Sequence, residues 1–293
     1  MSIINKTARD INNKLETPDD IVKHHKEILE ALMNYKPNIR KTKLSAFIVV
    51  LDQKDDTPDD IKVIIDNYRK QLFSDADDVN KDEKKQKLTE SQEKNYITWD
   101  EVLKVYDNLR TEAEPLFKLE NLNKKQYNKL QDFVLLSLYV LTPPRRSLDY
   151  AQFKIRNITD TDNFMTVKGR RKEGTLVFNT YKNSKRLGKQ EIKISNALRN
   201  IIQKWITKNP NDYLITTNTG NKIEQPRVNL ILNNIFNKNI GSSLLRHIFL
   251  THKYGNVDLE EMEKTTHEMG NSEIERTLKY VKKNDPAEIQ PDD

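Results

Sequence analysis

Between Ser74 and Lys94 the chain reads SDADDVNKDEKKQKLTESQEK, 21 residues almost free of large apolar side chains. Such a stretch cannot line a core, because burying its charges costs far more than its small apolar surface returns. It predicts a break in the fold: a helical unit over 1–73, a charged linker over 74–95 and a second unit over 96–293. With 293 residues, the chain is long enough for two ordinary domains.

Helix signals dominate the first unit. The tetrapeptide TPDD occurs at Thr17–Asp20 and again at Thr57–Asp60, each time before an isoleucine and a helical apolar pattern. Threonine suits the N-cap, proline the first helical position and aspartate the capping-box position near the positive end of the helix dipole. Helices are expected over about 19–35 and 59–72, with a third over 41–51 after a Pro–Asn turn. In the second unit, Thr98 and Glu101 form a T-x-x-E box that opens a helix, and the apolar run Tyr127–Leu141 is stopped by Pro143 and Pro144. Beyond the prolines, NFMTVKG, TLVFNTYKN and KQEIKIS alternate as strands, the last two forming a hairpin around SKRLG, and DYLITT suggests a short strand. Helices resume at Ser195, at Gln225–Phe236 and at Ser242–His252. The expected fold is mainly α with a small antiparallel sheet.

The chain has no cysteine and five histidines, which excludes disulfides and thiolate ligation and argues against a zinc site. Neither a signal-peptide layout nor an apolar run near the ~18 residues of a membrane span occurs, so a soluble intracellular protein is expected. The net charge of +6 is concentrated. Thr166–Lys193 holds nine cations (Lys168, Arg170, Arg171, Lys172, Lys182, Lys185, Arg186, Lys189, Lys193) against Glu173 and Glu191, or +7, leaving the remainder near neutral. A polyanion is the partner such a segment favours.

Two further stretches carry the chemistry. LLRHIFLTH, Leu244–His252, sets Arg246 and His247 in the middle of an apolar helix; MGNSEIERTLKY, Met269–Tyr280, ends in a tyrosine. Upstream, RRSLDY places Asp149 three residues after Arg146, and Lys182 lies in the hairpin. The segment LRHIFLTH resembles the L-R-H-x-F-x-T-H box of tyrosine recombinases, the phage-integrase type of site-specific recombinase. MGNSEIERTLKY resembles their [LM]-G-H-x-x-I-x-x-T-x-x-Y box, and Arg146 with Asp149 their R-x-x-[DE] box. TPPRR and LLRHIFLTHKYG are similar to integrases of large DNA viruses and virophages.

That resemblance implies a helical core-binding domain followed by a catalytic domain, acting on double-stranded DNA as a homotetramer on paired sites. It implies Arg146, Lys182, Arg246, Asn271 and Tyr280 as catalytic residues, with Ser243, His247 and Asp149 in the pocket and no cofactor or metal. Two guanidiniums suit the charge that builds on a phosphodiester during attack by a phenol. A lysine can protonate the departing 5′ oxygen, and a 3′-phosphotyrosyl bond conserves the energy of the broken strand. Arg145 competes with Arg146, and Lys185 with Lys182. The chain departs from the family pattern at Ser243, where histidine is frequent, and at Asn271, where histidine or tryptophan is usual. Lys36, Arg40, Lys41 and Lys43 of the first unit and Lys168, Arg170, Arg171 and Lys185 of the second are candidate DNA-backbone contacts. A type IB topoisomerase-like enzyme and a catalytically inactive DNA-binding relative are the alternatives.

Overall fold

The computed structural model describes residues 3–52, 56–84, 88–168, 173–254 and 259–269. The chain divides into two compact units, 1–87 and 88–293.

Among the described residues the first unit is built of α1 (Ile3–Asp10), α2 (Pro18–Lys23), α3 (His25–Met33), α4 (Pro37–Leu51) and α5 (Asp59–Lys84). The first TPDD is a complete capping box, with Asp20 N donating to Thr17 Oγ1 at 3.2 Å and Thr17 N to Asp20 Oδ2 at 2.9 Å. Ile28, Leu32, Leu44, Phe47, Ile65 and Tyr68 form the core.

The buried Arg40–Asp75 pair overturns two expectations. The expected linker begins at Ser74, yet α5 continues to Lys84, because Asp75 is fully buried and belongs to the core of this unit. Arg40 Nε reaches both Asp75 oxygens, at 3.0 and 2.8 Å, and its Nη1 donates to the carbonyls of Met33 and Tyr35. Arg40 is therefore a strut between α4 and α5, not an outward contact for DNA. Lys43 is likewise turned inward, donating to Thr7 Oγ1 at 2.9 Å and lying 4.3 Å above the Tyr35 ring. Lys36 stays exposed and Lys41 partly so. Glu90–Asn95, also within the expected linker, forms helix α6 under a Thr89–Gln92 capping box.

The second unit continues with α7 (Trp99–Ala113), a 3-10 turn, α8 (Lys124–Val140) and the short α9 (Ser147–Ala151). Strands β1 (Phe153–Lys154), β2 (Asn163–Lys168), β3 (Glu173–Phe178) and β4 (Gln190–Ile194) follow, with α10 (Ser184–Leu187) inside the β3–β4 connection. Helices α11 (Asn196–Lys208), α12 (Gln225–Phe236), α13 (Ser242–Tyr254) and α14 (Leu259–Glu268) complete it. Thr98 with Glu101, Asn123 with Gln126 and Ser195 act as N-caps. Leu130, Phe133, Val134, Leu135, Leu136, Leu138 and Tyr139 make α8 the buried spine, against which α7, α11 and α12 pack.

The sheet order is β1-β2-β3-β4, antiparallel except that the two-residue β1 pairs parallel with β2. The expected antiparallel sheet is thus a mixed one, extended by a strand too short to leave a period-2 signature. DYLITT contributes isolated bridges at Tyr213 and Thr216 in place of a strand. The SKRLG connection contains a helical turn closed by Gly188 at φ 67°, a conformation that glycine adopts without a Cβ clash. Among the described residues no helix is long and apolar enough to cross a membrane.

Candidate phosphate-binding site

Helix α8 ends where Thr142 Oγ1 bonds back to the Leu138 carbonyl at 2.6 Å, and Pro143–Pro144 forbid its continuation. The chain then leaves extended through two arginines of different character. Arg145 is 1% exposed. Its Nε donates to Asp149 Oδ2 at 2.7 Å, and Nη1 donates to Gln190 Oε1 at 2.9 Å and to the Glu268 carbonyl at 2.5 Å. The Phe178 ring lies 4.0 Å from its guanidinium carbon. Arg146, at the N-cap position of α9, is only partly buried.

Asp149 is the hub. It is fully enclosed, and burial raises its carboxyl above the ordinary aspartate range while Arg145, Arg146 and Arg246 oppose that rise. The charges of both arginine boxes, about a hundred residues apart in sequence, are thus felt at one carboxylate, which Arg145 alone is seen to bond through its side chain. A polar seam holds them there. Ser147 Oγ lies 2.6 Å from Ser242 Oγ, and Asn229 Oδ1 accepts from Ser147 Oγ at 2.9 Å and from the Ser242 amide at 3.0 Å. These bonds tie the start of α9 to the start of α13. Gly241 permits the approach, because a Cβ there would lie 2.9 Å from Asn229 Oδ1.

On α13, Arg246 is 3% exposed and His247 is buried beside it, while Ser243 is exposed one turn earlier. Trp99 packs edge-on against Phe249 at 5.2 Å, fixing the helix against α7.

The hairpin is pinned to the same place by Asn163. Its Nδ2 donates to the Asp149 carbonyl at 3.1 Å and to the Thr180 carbonyl at 2.8 Å, and its Oδ1 accepts from the amides of Asn179 and Thr180, each at 2.9 Å. Both donor sites and both acceptor sites of one buried amide are used. Next to this turn, Tyr181 is anchored through its hydroxyl to the Gly188 carbonyl at 2.8 Å, and Lys182 follows it, exposed. Lys185 is also exposed, on α10, and Lys168 closes β2. Arg170, Arg171, Asn271 and Tyr280 lie outside the described residues; the chain is followed as far as Met269, which is fully buried.

Sequence reasoning missed Asn163, Ser147, Ser242, Asn229 and Gln190. For Gln190 a signal existed: in QEIKI it shares the inward register with Ile192, so a polar residue stands at a core position. The other four are small polar residues of ordinary appearance, and nothing in their spacing distinguishes them.

No protein-family model matches this chain, and no curated protein does. Solved structures of similar course include the XerH site-specific recombinase in a post-cleavage complex on a palindromic difH substrate, at 14% identity and TM-score 0.48, covering 96% of this chain and 85% of that one. A lambda integrase dimer bound to a COC′ core site matches at 11% identity and TM-score 0.47, covering 98% and 91%. The XerA recombinase matches at 12% identity and TM-score 0.45, covering 97% and 86%. Likeness at this level assigns no chemistry to the present chain.

Proposed function

We propose that this protein is a site-specific DNA recombinase of the tyrosine-recombinase type, which breaks and rejoins duplex DNA through a 3′-phosphotyrosyl bond at Tyr280. The observation that supports the proposal is that the start of α9, with Arg146 and the Arg145–Asp149 pair, is bonded to the start of α13, which bears Arg246, while Asn163 ties the Lys182 turn to the Asp149 backbone.

In this account Arg146 is the first arginine and Arg145 its internal support, since Arg145 already spends its Nε and Nη1 on protein acceptors. A phosphate meets the partly open Arg146 first and is then held from the α13 side by Arg246. Both stay charged at any working pH and present planar N–H pairs to the non-bridging oxygens. The Tyr280 phenol loses its proton to water and attacks phosphorus in line, the bond to the 5′ oxygen breaks, and Lys182 supplies the proton that the departing oxygen takes up, regaining one from solvent. Asn271 donates to the same phosphate. Rejoining is the reverse attack by a 5′ hydroxyl. An exchange that cuts both strands of two duplexes needs four tyrosines, hence a homotetramer on paired sites.

The test is a covalent-complex assay. The protein is incubated with a pool of nicked duplexes from which bound sequences have been selected, and a band stable to denaturant is sought. A band with the native chain, lost in Tyr280→Phe, supports the proposal; a chain that binds the selected duplex tightly yet never forms the band overturns it.

A further inference from the structure

The last two carbonyls of α14 end on a pair of side chains from elsewhere in the unit. Arg145 Nη1 donates to the Glu268 carbonyl at 2.5 Å, and Gln190 Nε2 donates to the His267 carbonyl at 2.9 Å. The two side chains are joined to each other at 2.9 Å. Carbonyls at a helix C-terminus have no partner within the helix, and a cation there is favoured by the dipole. A guanidinium and an amide from two distant elements are a more specific solution than the usual glycine cap.

Neutralising Asp149 requires none of this. One charge-assisted bond from Arg145 Nε already pairs the carboxylate, and the guanidinium is further seated against Phe178 and Tyr181. The extra bonds reach toward a single target, the point where the chain leaves α14. Three more contacts fix the same point: Met269 is fully buried, its amide donates to the Thr265 carbonyl at 2.9 Å, and Lys253 of α13 donates to Thr265 Oγ1 at 3.0 Å.

We infer that Arg145 and Gln190 form a clamp that holds the C-terminal end of α14, from which the chain leads on to Asn271 and Tyr280, to the first arginine box and to the Lys182 hairpin. The inference rests on the function proposed above. Its elements neighbour that machinery along the chain: Arg145 precedes Arg146, Gln190 begins the strand that returns from the Lys182 turn, and Glu268 stands three residues before Asn271. Arg145 and Gln190 are positioning residues; neither needs to touch DNA.

Gln190→Met, close in volume to the native side chain, removes the bonds to His267 and to Arg145 Nη1 and spares the Arg145–Asp149 pair. Three measurements on the full chain test the clamp. Hydrogen exchange of the peptide covering 264–269 should quicken about fivefold, as expected for a lost hydrogen bond, while α8 and α11 peptides stay unchanged. Single-turnover formation of the covalent complex should fall about 100-fold, the scale of a misplaced reacting group, with duplex affinity within about twofold of native. A substrate with sulfur at the 5′ bridging position, whose leaving group needs no proton, should leave the defect in place while restoring a Lys182→Ala variant.

Unchanged exchange in Gln190→Met, or quickened exchange with native cleavage, overturns the inference, as does full rescue by sulfur. If the native chain itself forms no covalent complex, the proposed function fails, and the exchange measurement alone then decides whether the clamp exists.

Discussion

Asp149 is enclosed with Arg145 against one oxygen and the charges of Arg146 and Arg246 nearby, and the two neighbouring arginines should answer mutation in opposite ways. Removing Arg145 leaves a buried carboxylate without its bonded partner, which in comparable sites costs about 3–5 kcal/mol. Arg145→Ala is therefore expected to lower urea-denaturation stability by that amount. Arg146→Ala should stay within ~1 kcal/mol of native and yet form no covalent complex. The reverse pattern would make Arg145 the phosphate ligand. A second carboxylate offers a pH test. Burial raises Asp132 to about 7, against the pull of Lys129 and Arg227. Between the ordinary aspartate value and about 7 the unfolded chain is ionised while the folded chain keeps its proton, so this group lowers stability as pH rises through that window. Asp132→Asn should flatten that fall and melt above native at pH 8 but not at pH 4, by calorimetry. The candidate arginines were legible because the Arg146–Asp149 and Arg246–His247 spacings are local. The choice between Arg145 and Arg146 was not, because it depends on Gln190 and Glu268, 45 and 123 residues away from Arg145.

Helix starts were the most readable elements, since a capping box is complete within four residues; Thr17 with Asp20 and Thr98 with Glu101 form as their spacing implies. Helix ends were less so. α5 runs on past Ser74 through a sequence with linker composition because Asp75 is held by Arg40 on another helix, an attraction with no local trace. Asp75→Ala should accordingly destabilise the 1–87 unit by about 3–5 kcal/mol and shorten α5, seen as faster hydrogen exchange from residue 74 onward. The same ion pair removes Arg40 from the set of DNA contacts. Of the four cations proposed in this unit, Lys36 remains exposed and Lys41 partly so. Each of Lys36→Ala and Lys41→Ala should reduce the slope of log affinity against log salt by about 0.9, and a slope unchanged in the double variant would take this unit off the DNA backbone.

Across the whole molecule, the second unit builds its site from residues scattered between Arg145 and Met269, gathered by buried amides and hydroxyls: Asn163 for the hairpin, Ser147 with Ser242 and Asn229 for the arginine helices, and Gln190 for the exit from α14. The sequence carries the candidate site residues in recognisable order; it hides the small polar residues that gather the described ones, because each works through tertiary partners. The central claim, that this scaffold serves covalent chemistry at one tyrosine, is tested most directly by mass spectrometry of the protein after incubation with a selected nicked duplex and nuclease digestion. A nucleotide remnant joined through its 3′ phosphate to the peptide containing Tyr280 is the predicted result. A remnant on any other residue, or none from a protein that binds the duplex, would contradict it.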